Sequence, residues 1–250
     1  MKSIWEGPEI NDPQQALLSV VFLNVALAAF TIGAFWAGVF VARSFGWKVD
    51  YSLAPLGFSR PRGGTLVGVG VGALVGVGAL VASMPVNLAS AFLLDRLGYS
   101  TERMIQGPFM RALTRWVEES PGTAIPAIIL VVVIFGPAVE ELVFRGAVFN
   151  GLYRLSGRLA SKRFGESEST RRTARRAAFA LAALASSVVF ALLHLEPVLL
   201  PALLILAVTL CALFERTGSL LPTLVAHATF NSFAVSLIIL AGLGVFEIPI

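Results

Sequence analysis

Six stretches of this chain, 17–42, 65–84, 124–153, 177–195, 198–214 and 220–246, are apolar almost without a break. Crossing a bilayer takes a helix of about 20 such residues. Backbone N–H and C=O groups in hydrocarbon find no water, so a spanning segment must satisfy them as a helix or in a closed barrel. Barrel strands alternate apolar and polar side chains, and these runs do not. The expected fold is therefore all-α, a polytopic transmembrane helical bundle of six spans, with six to eight as the range.

Composition closes the alternative. The chain is 56% hydrophobic and 14% charged, with a mean hydropathy of +0.82, where soluble domains carry about 25% charge. Too few polar side chains exist to cover a water-soluble fold, which excludes a soluble enzyme. The first run is longer than a signal-peptide core and follows an acidic leader with Glu6, Glu9 and Asp12, so it is expected to remain as a span. Cys211 is the single cysteine, which rules out an intrachain disulfide or a multi-cysteine metal site.

The sequence pI of 9.7 does not point to nucleic acid, because the basic residues sit in short loops beside the spans. There they set orientation and meet anionic headgroups. The largest group, Arg154, Arg158, Lys162, Arg163, Arg171, Arg172, Arg175 and Arg176, follows span three. The loops after spans one, three and five are accordingly expected to be cytoplasmic. Arginine far outnumbers lysine, which fits a GC-rich bacterial source, so the expected location is a bacterial plasma membrane.

Smaller features add expectations. Gly68, Gly72 and Gly76 recur every fourth residue and form a face that lets another helix approach closely. Pro85 and Asn87 are expected to interrupt the second span. Ile105, Phe109, Leu113 and Trp116 recur at helical spacing with Arg111 and Arg115 off the stripe, which suits a helix lying in the membrane interface. The polar stretch 156–176 reads as a loop, mobile over 166–170. No internal repeat stands out.

Within the apolar runs the ionisable residues are Glu140, Glu141 and Arg145 in span three, His194 near the end of span four and His227 in span six. Each costs at least about 2.5–3.5 kcal/mol to insert, so five of them call for a protein-lined or wet cavity. A structural knot tying helices together is the plain alternative, and for Glu141 with Arg145 it is about as good, because Glu before Arg at i, i+4 is the favourable direction for an intrahelical pair. Glu140 is then left without its own counter-charge, about 100° around the helix. His227 and Asn231 are four apart and share a face. Two histidines, a free glutamate and an asparagine on three helices supply a base, a proton shuttle and hydrogen-bond donors, the inventory for activating water against a carbonyl.

At these residues the sequence resembles a known family. Glu140-Glu141-Leu142-Val143-Phe144-Arg145 matches E-E-x-x-x-R, Phe190-Ala191-Leu192-Leu193-His194 matches F-x-x-x-H, and His227-Ala228-Thr229-Phe230-Asn231 matches H-x-x-x-N, in that order. Together they resemble the CPBP family of intramembrane proteases, which includes the CAAX prenyl endopeptidases and bacterial Abi proteins. The resemblance divides the chain into 1–120, N-terminal spans plus the interfacial helix, and 121–250, a catalytic helical domain. It implies peptide-bond cleavage in a membrane-anchored protein or peptide, with Glu140 and His194 activating water and His227 and Asn231 stabilising the oxyanion. Glu141, Arg145 and Phe190 would be supporting residues. CAAX proteins, bacteriocin-type peptides and C-terminal sorting signals are the substrate classes it implies, and the lipid bilayer is the other partner.

Some family members are described as metalloproteases, so zinc is the alternative to a metal-free site, with Glu140, His194 and His227 as its ligands. Against zinc, no H-E-x-x-H pair fixes two ligands on one helix, and Asn231 beside His227 suits oxyanion donation better than metal ligation. No cofactor is the expectation. The competing non-catalytic readings are a membrane scaffold, an immunity protein or a transporter using the same polar cluster, although a transporter would more naturally show repeats with broken helices in matching halves.

Overall fold

A computed structural model describes residues 10, 12–99, 106–164 and 167–246, and every regular element among them is helical. Six helices are long and apolar enough to cross a membrane. We label α1 Pro13–Ser44, α2 Thr65–Arg96 and α3 Gly107–Glu119, with a short 3₁₀ turn at Ala54–Leu56 between the first two. Helix α4 is one rod over 121–164, followed by α5 Glu168–Leu193, α6 Leu200–Thr217 and α7 Leu220–Gly242. All but α3 are spans. Large apolar side chains cover the outside, Leu66 at 88% exposure among them with Phe22, Phe30, Leu74 and Leu88, a surface that only lipid can solvate.

The glycine face of α2 docks as its spacing predicts. Gly68, Gly72 and Gly76 are buried, and a Cβ on Gly72 or Gly76 would stand 2.5 Å from the backbone oxygen of Pro222 or Ala226, respectively, in α7. No side chain fits that gap, so α2 and α7 touch backbone to backbone. Behind the contact, Ala79 of α2 packs with Leu206, Leu210 and Leu213 of α6 and with Ala226, one residue before His227. Gly76→Ala is expected to cost about 1–3 kcal/mol through overpacking. Gly78→Ala, where nothing lies within 4 Å of the added methyl, should leave the thermal midpoint in detergent almost unchanged.

Three expectations are corrected. Helix α2 continues unbroken past Pro85 and Asn87 to Arg96, because a membrane helix tolerates the loss of one backbone bond that would end a soluble helix. The apolar stripe of α3 faces the bundle rather than lipid: Leu113, Trp116 and Val117 are buried against Leu17, Ala124, Ile128, Val131, Val235 and Ile238. Gly242 makes this possible, since a Cβ there would lie 2.6 Å from Val117 Cβ; Arg111 and Arg115 stay exposed, and Ile105 lies outside the described residues. The polar stretch after span three is mostly helix, the ends of α4 and α5. Its start is set by Ser167, whose side chain accepts from Thr170 N, and by the Glu168–Arg172 pair one turn on; Glu166 lies outside the described residues.

Helix α4 is irregular where it matters. Two π-helical stretches, Ile129–Phe135 and Leu142–Phe149, flank a six-residue α-helical segment, Gly136–Glu141. Pro137 cannot donate to the carbonyl four residues back, and a wider turn before it relieves that mismatch. Wide turns of this kind concentrate at functional sites. The Glu140–Glu141 pair closes the segment between them.

Candidate active site

Glu141 is fully buried, and its Oε1 is shared. Arg145 approaches it at 3.0 Å from one turn along α4, the intrahelical pair read from the i, i+4 spacing. From α7, His227 brings Nδ1 to 2.9 Å of the same oxygen. Arg145 is itself fully buried, with its guanidinium carbon 4.6 Å from the centroid of the Phe190 ring. A buried cation thus has a carboxylate on one side and an aromatic face on the other, which offsets part of its lost hydration.

Glu140 occupies a different environment. Its side chain keeps 31% exposure, and its Oε2 lies 3.6 Å from His227 Nε2. His227 therefore stands between the two adjacent carboxylates, one on each ring nitrogen. Glu141, as a carboxylate, only accepts, so Nδ1 donates to it and Nε2 is the nitrogen that faces Glu140. Only the imidazolium form donates from Nε2.

His194 caps the end of α5. Its Nδ1 lies 2.8 Å from the carbonyl of Phe190, an acceptor, so this ring also carries its proton on Nδ1 and leaves Nε2 as the lone-pair nitrogen. Phe190 joins the two histidines, its centroid 4.6 Å from that of His194 and 5.8 Å from that of His227. Immediately after His194 the chain turns through Leu195 with φ +54, a left-handed conformation that costs a non-glycine residue roughly 1–2 kcal/mol.

Asn231, one turn beyond His227, donates from Nδ2 to the carbonyl of Val132 at 3.1 Å, inside the first π-helical stretch. The structure thus brings Glu140, Glu141, Arg145 and His227 into direct contact, attaches His194 through Phe190, and ties Asn231 to the neighbouring backbone. Among the described residues no three His, Cys, Asp or Glu side chains converge to hold a metal. Glu140 and His227 face each other, and His194 packs on the Phe190 ring; catalytic zinc takes about three protein ligands.

Two further residues hold His194 in place and were not singled out in the sequence. Gln106, just before α3, donates from Nε2 to the carbonyl of His194 at 3.2 Å, and its backbone N–H reaches Glu196 Oε2 at 3.5 Å. Glu196 is buried at 2% exposure. A signal for it exists: Glu196 and Pro197 alone separate two apolar runs, too short a link to carry an acid out to solvent.

Comparison with protein families matches residues 122–233 to the family described as Type II CAAX prenyl endopeptidase Rce1-like. The matched stretch opens at the start of α4 and ends two residues after Asn231, enclosing the whole cluster. No curated protein and no solved structure matches the chain.

Proposed function

We propose that this integral membrane protein, whose residues 122–233 match the Type II CAAX prenyl endopeptidase Rce1-like family, is an intramembrane endopeptidase that attacks a peptide bond with water activated by Glu140. The observation that carries the reading is His227 held between two glutamates of unequal environment, one sealed and charge-paired, the other open. Glu141 is committed to Arg145 and His227. Glu140 is the more exposed carboxylate, at 31%, with its Oε2 buried towards His227, and a general base needs both access to water and a partner for the proton it gains.

In the proposed reaction Glu140 takes a proton from water while His194, through its Nε2 lone pair, holds the same water. The resulting hydroxide adds to the carbonyl carbon of the scissile bond. Negative charge develops on the carbonyl oxygen, and His227, as imidazolium donating from Nε2, stabilises it beside the remaining amide N–H of Asn231. Glu141 accepts from Nδ1 of His227 and so holds the ring in orientation, as a carboxylate behind a histidine does in other hydrolases. Collapse of the adduct breaks the C–N bond, and the proton held by Glu140 passes to the leaving amine. Arg145 pairs with Glu141, and Phe190 covers the pair.

The substrate class proposed is a membrane-anchored protein or peptide of the C-a-a-X kind, in a bacterial plasma membrane. Purified protein in liposomes, given prenylated and unprenylated C-a-a-X peptides, should release a shorter product from the prenylated one, read by mass spectrometry. Absence of any product from a panel that also includes sorting-signal and bacteriocin-type peptides would overturn the protease reading. The reaction is proposed without a resident metal. Cleavage should survive exhaustive 1,10-phenanthroline, whereas stoichiometric zinc whose removal stops cleavage and whose return restores it would make Glu140, His194 and His227 ligands.

A further inference from the structure

Several apolar runs of the sequence stop at one level of the bundle. The third run ends at Tyr153, the fifth at Phe214, the fourth begins after Arg176 and the second after Gly64. A cavity of about 190 Å³ opens there, floored by Phe149 and Phe214 and walled by Arg62, Tyr153, Arg154, Arg175 and Glu215. It lies three turns or so along α4 from the glutamate pair and shares none of its residues.

The wall holds three guanidinium groups against one carboxylate. Arg175 donates from Nε to the Tyr153 hydroxyl at 2.8 Å and from its terminal nitrogen to Glu215 Oε1 at 2.7 Å. Arg62 donates to the carbonyls of Glu215 and Arg216 at 3.1 and 3.3 Å, closing the end of α6. Arg154 donates to the neutral amide oxygen of Asn150 at 2.8 Å. A guanidinium has five N–H donors in a planar fork, and these bonds engage one or two on each. Fold anchoring accounts for Arg62 and Arg175, but it leaves a surplus of positive charge facing a cavity.

We propose that this cavity binds the phosphate of an anionic lipid headgroup. A phosphodiester brings one negative charge and acceptor oxygens that match guanidinium forks in pairs. Its depth favours the lipid source over free phosphate, since the cavity lies where the hydrocarbon-crossing runs give way to polar sequence. Basic pockets between membrane helices take such headgroups. The site makes no demand on the proteolytic reading, and its test does not use cleavage.

The test is lipid retention and thermal unfolding of the full chain in non-ionic detergent, titrated with phosphatidylglycerol, phosphatidylcholine or inorganic phosphate. Phosphatidylglycerol should raise the unfolding midpoint and remain bound in native mass spectra, with phosphatidylcholine doing neither. Arg62→Ala/Arg154→Ala should weaken retention about tenfold or more, the effect of losing one good charge-assisted contact. Arg171→Ala/Arg176→Ala, which removes equal charge outside the cavity, should retain lipid like the parent. Should the first pair unfold, Arg154→Gln alone leaves the Arg62 carbonyl bonds intact and should still lower retention severalfold. Equal losses in the two double variants, or no shift with phosphatidylglycerol, overturn the site; full stabilisation by inorganic phosphate alone overturns the lipid assignment.

Discussion

Glu140→Gln is expected to abolish detectable cleavage while the bundle stays as stable as the parent. Glutamine keeps the shape of the side chain but cannot take a proton from water. Loss of a positioned general base typically costs about 10²–10⁴ in rate, enough to put a slow membrane protease below detection. Stability should not follow, because Glu140 keeps 31% exposure and stands 3.6 Å from His227, beyond hydrogen-bond reach. Substitutions at such open positions usually stay within about 0.5 kcal/mol. The paired measurement is product formation against the thermal midpoint of the same preparation. A variant that cleaves at the parental rate would remove Glu140 from the chemistry and shift the base to His194, whose Nε2 is the other lone-pair nitrogen near the cluster.

What the sequence reveals and what it conceals divide along one physical line. Features set within one segment are legible: the six spans follow from unbroken apolar runs, and the glycine face of α2 and the Glu141–Arg145 pair follow from spacings of four residues. Contacts between segments are not. Nothing in the chain says that His227, 86 residues from Glu141, inserts between the two glutamates, because that depends on the register of α7 against α4. The register in turn depends on how close α2 comes, which Gly72 and Gly76 set. Phe190 is a motif residue in the sequence, but its place over Arg145 and between two histidines emerges only once α4, α5 and α7 are packed. Pro85 and the polar stretch at 156–176 mislead because the helices there are held by the membrane setting or by capping and neighbouring charges.

The adjacent glutamate should fail differently. Glu141→Gln is expected to cost about 3–5 kcal/mol, the loss seen when one partner of a buried ion pair is removed and the other is left charged. Arg145 cannot shed its proton and is fully buried, so its remaining offsets would be the Phe190 ring and the long contact to the Ala207 carbonyl at 3.5 Å. His227 loses its anionic acceptor at Nδ1 as well, so the residual folded protein should also cleave poorly. Replacing both charges tests the cause: Glu141→Gln/Arg145→Met removes the orphaned cation with its partner, and buried pairs exchanged for uncharged side chains of similar size are often tolerated. The double variant should therefore regain much of the stability lost by Glu141→Gln, while cleavage stays low because the carboxylate behind His227 is still missing. Thermal unfolding of the parent, both single variants and the double gives the coupling energy directly. Additive losses, or a loss in Glu140→Gln equal to that in Glu141→Gln, would mean that the two neighbours do not divide the work between chemistry and structure.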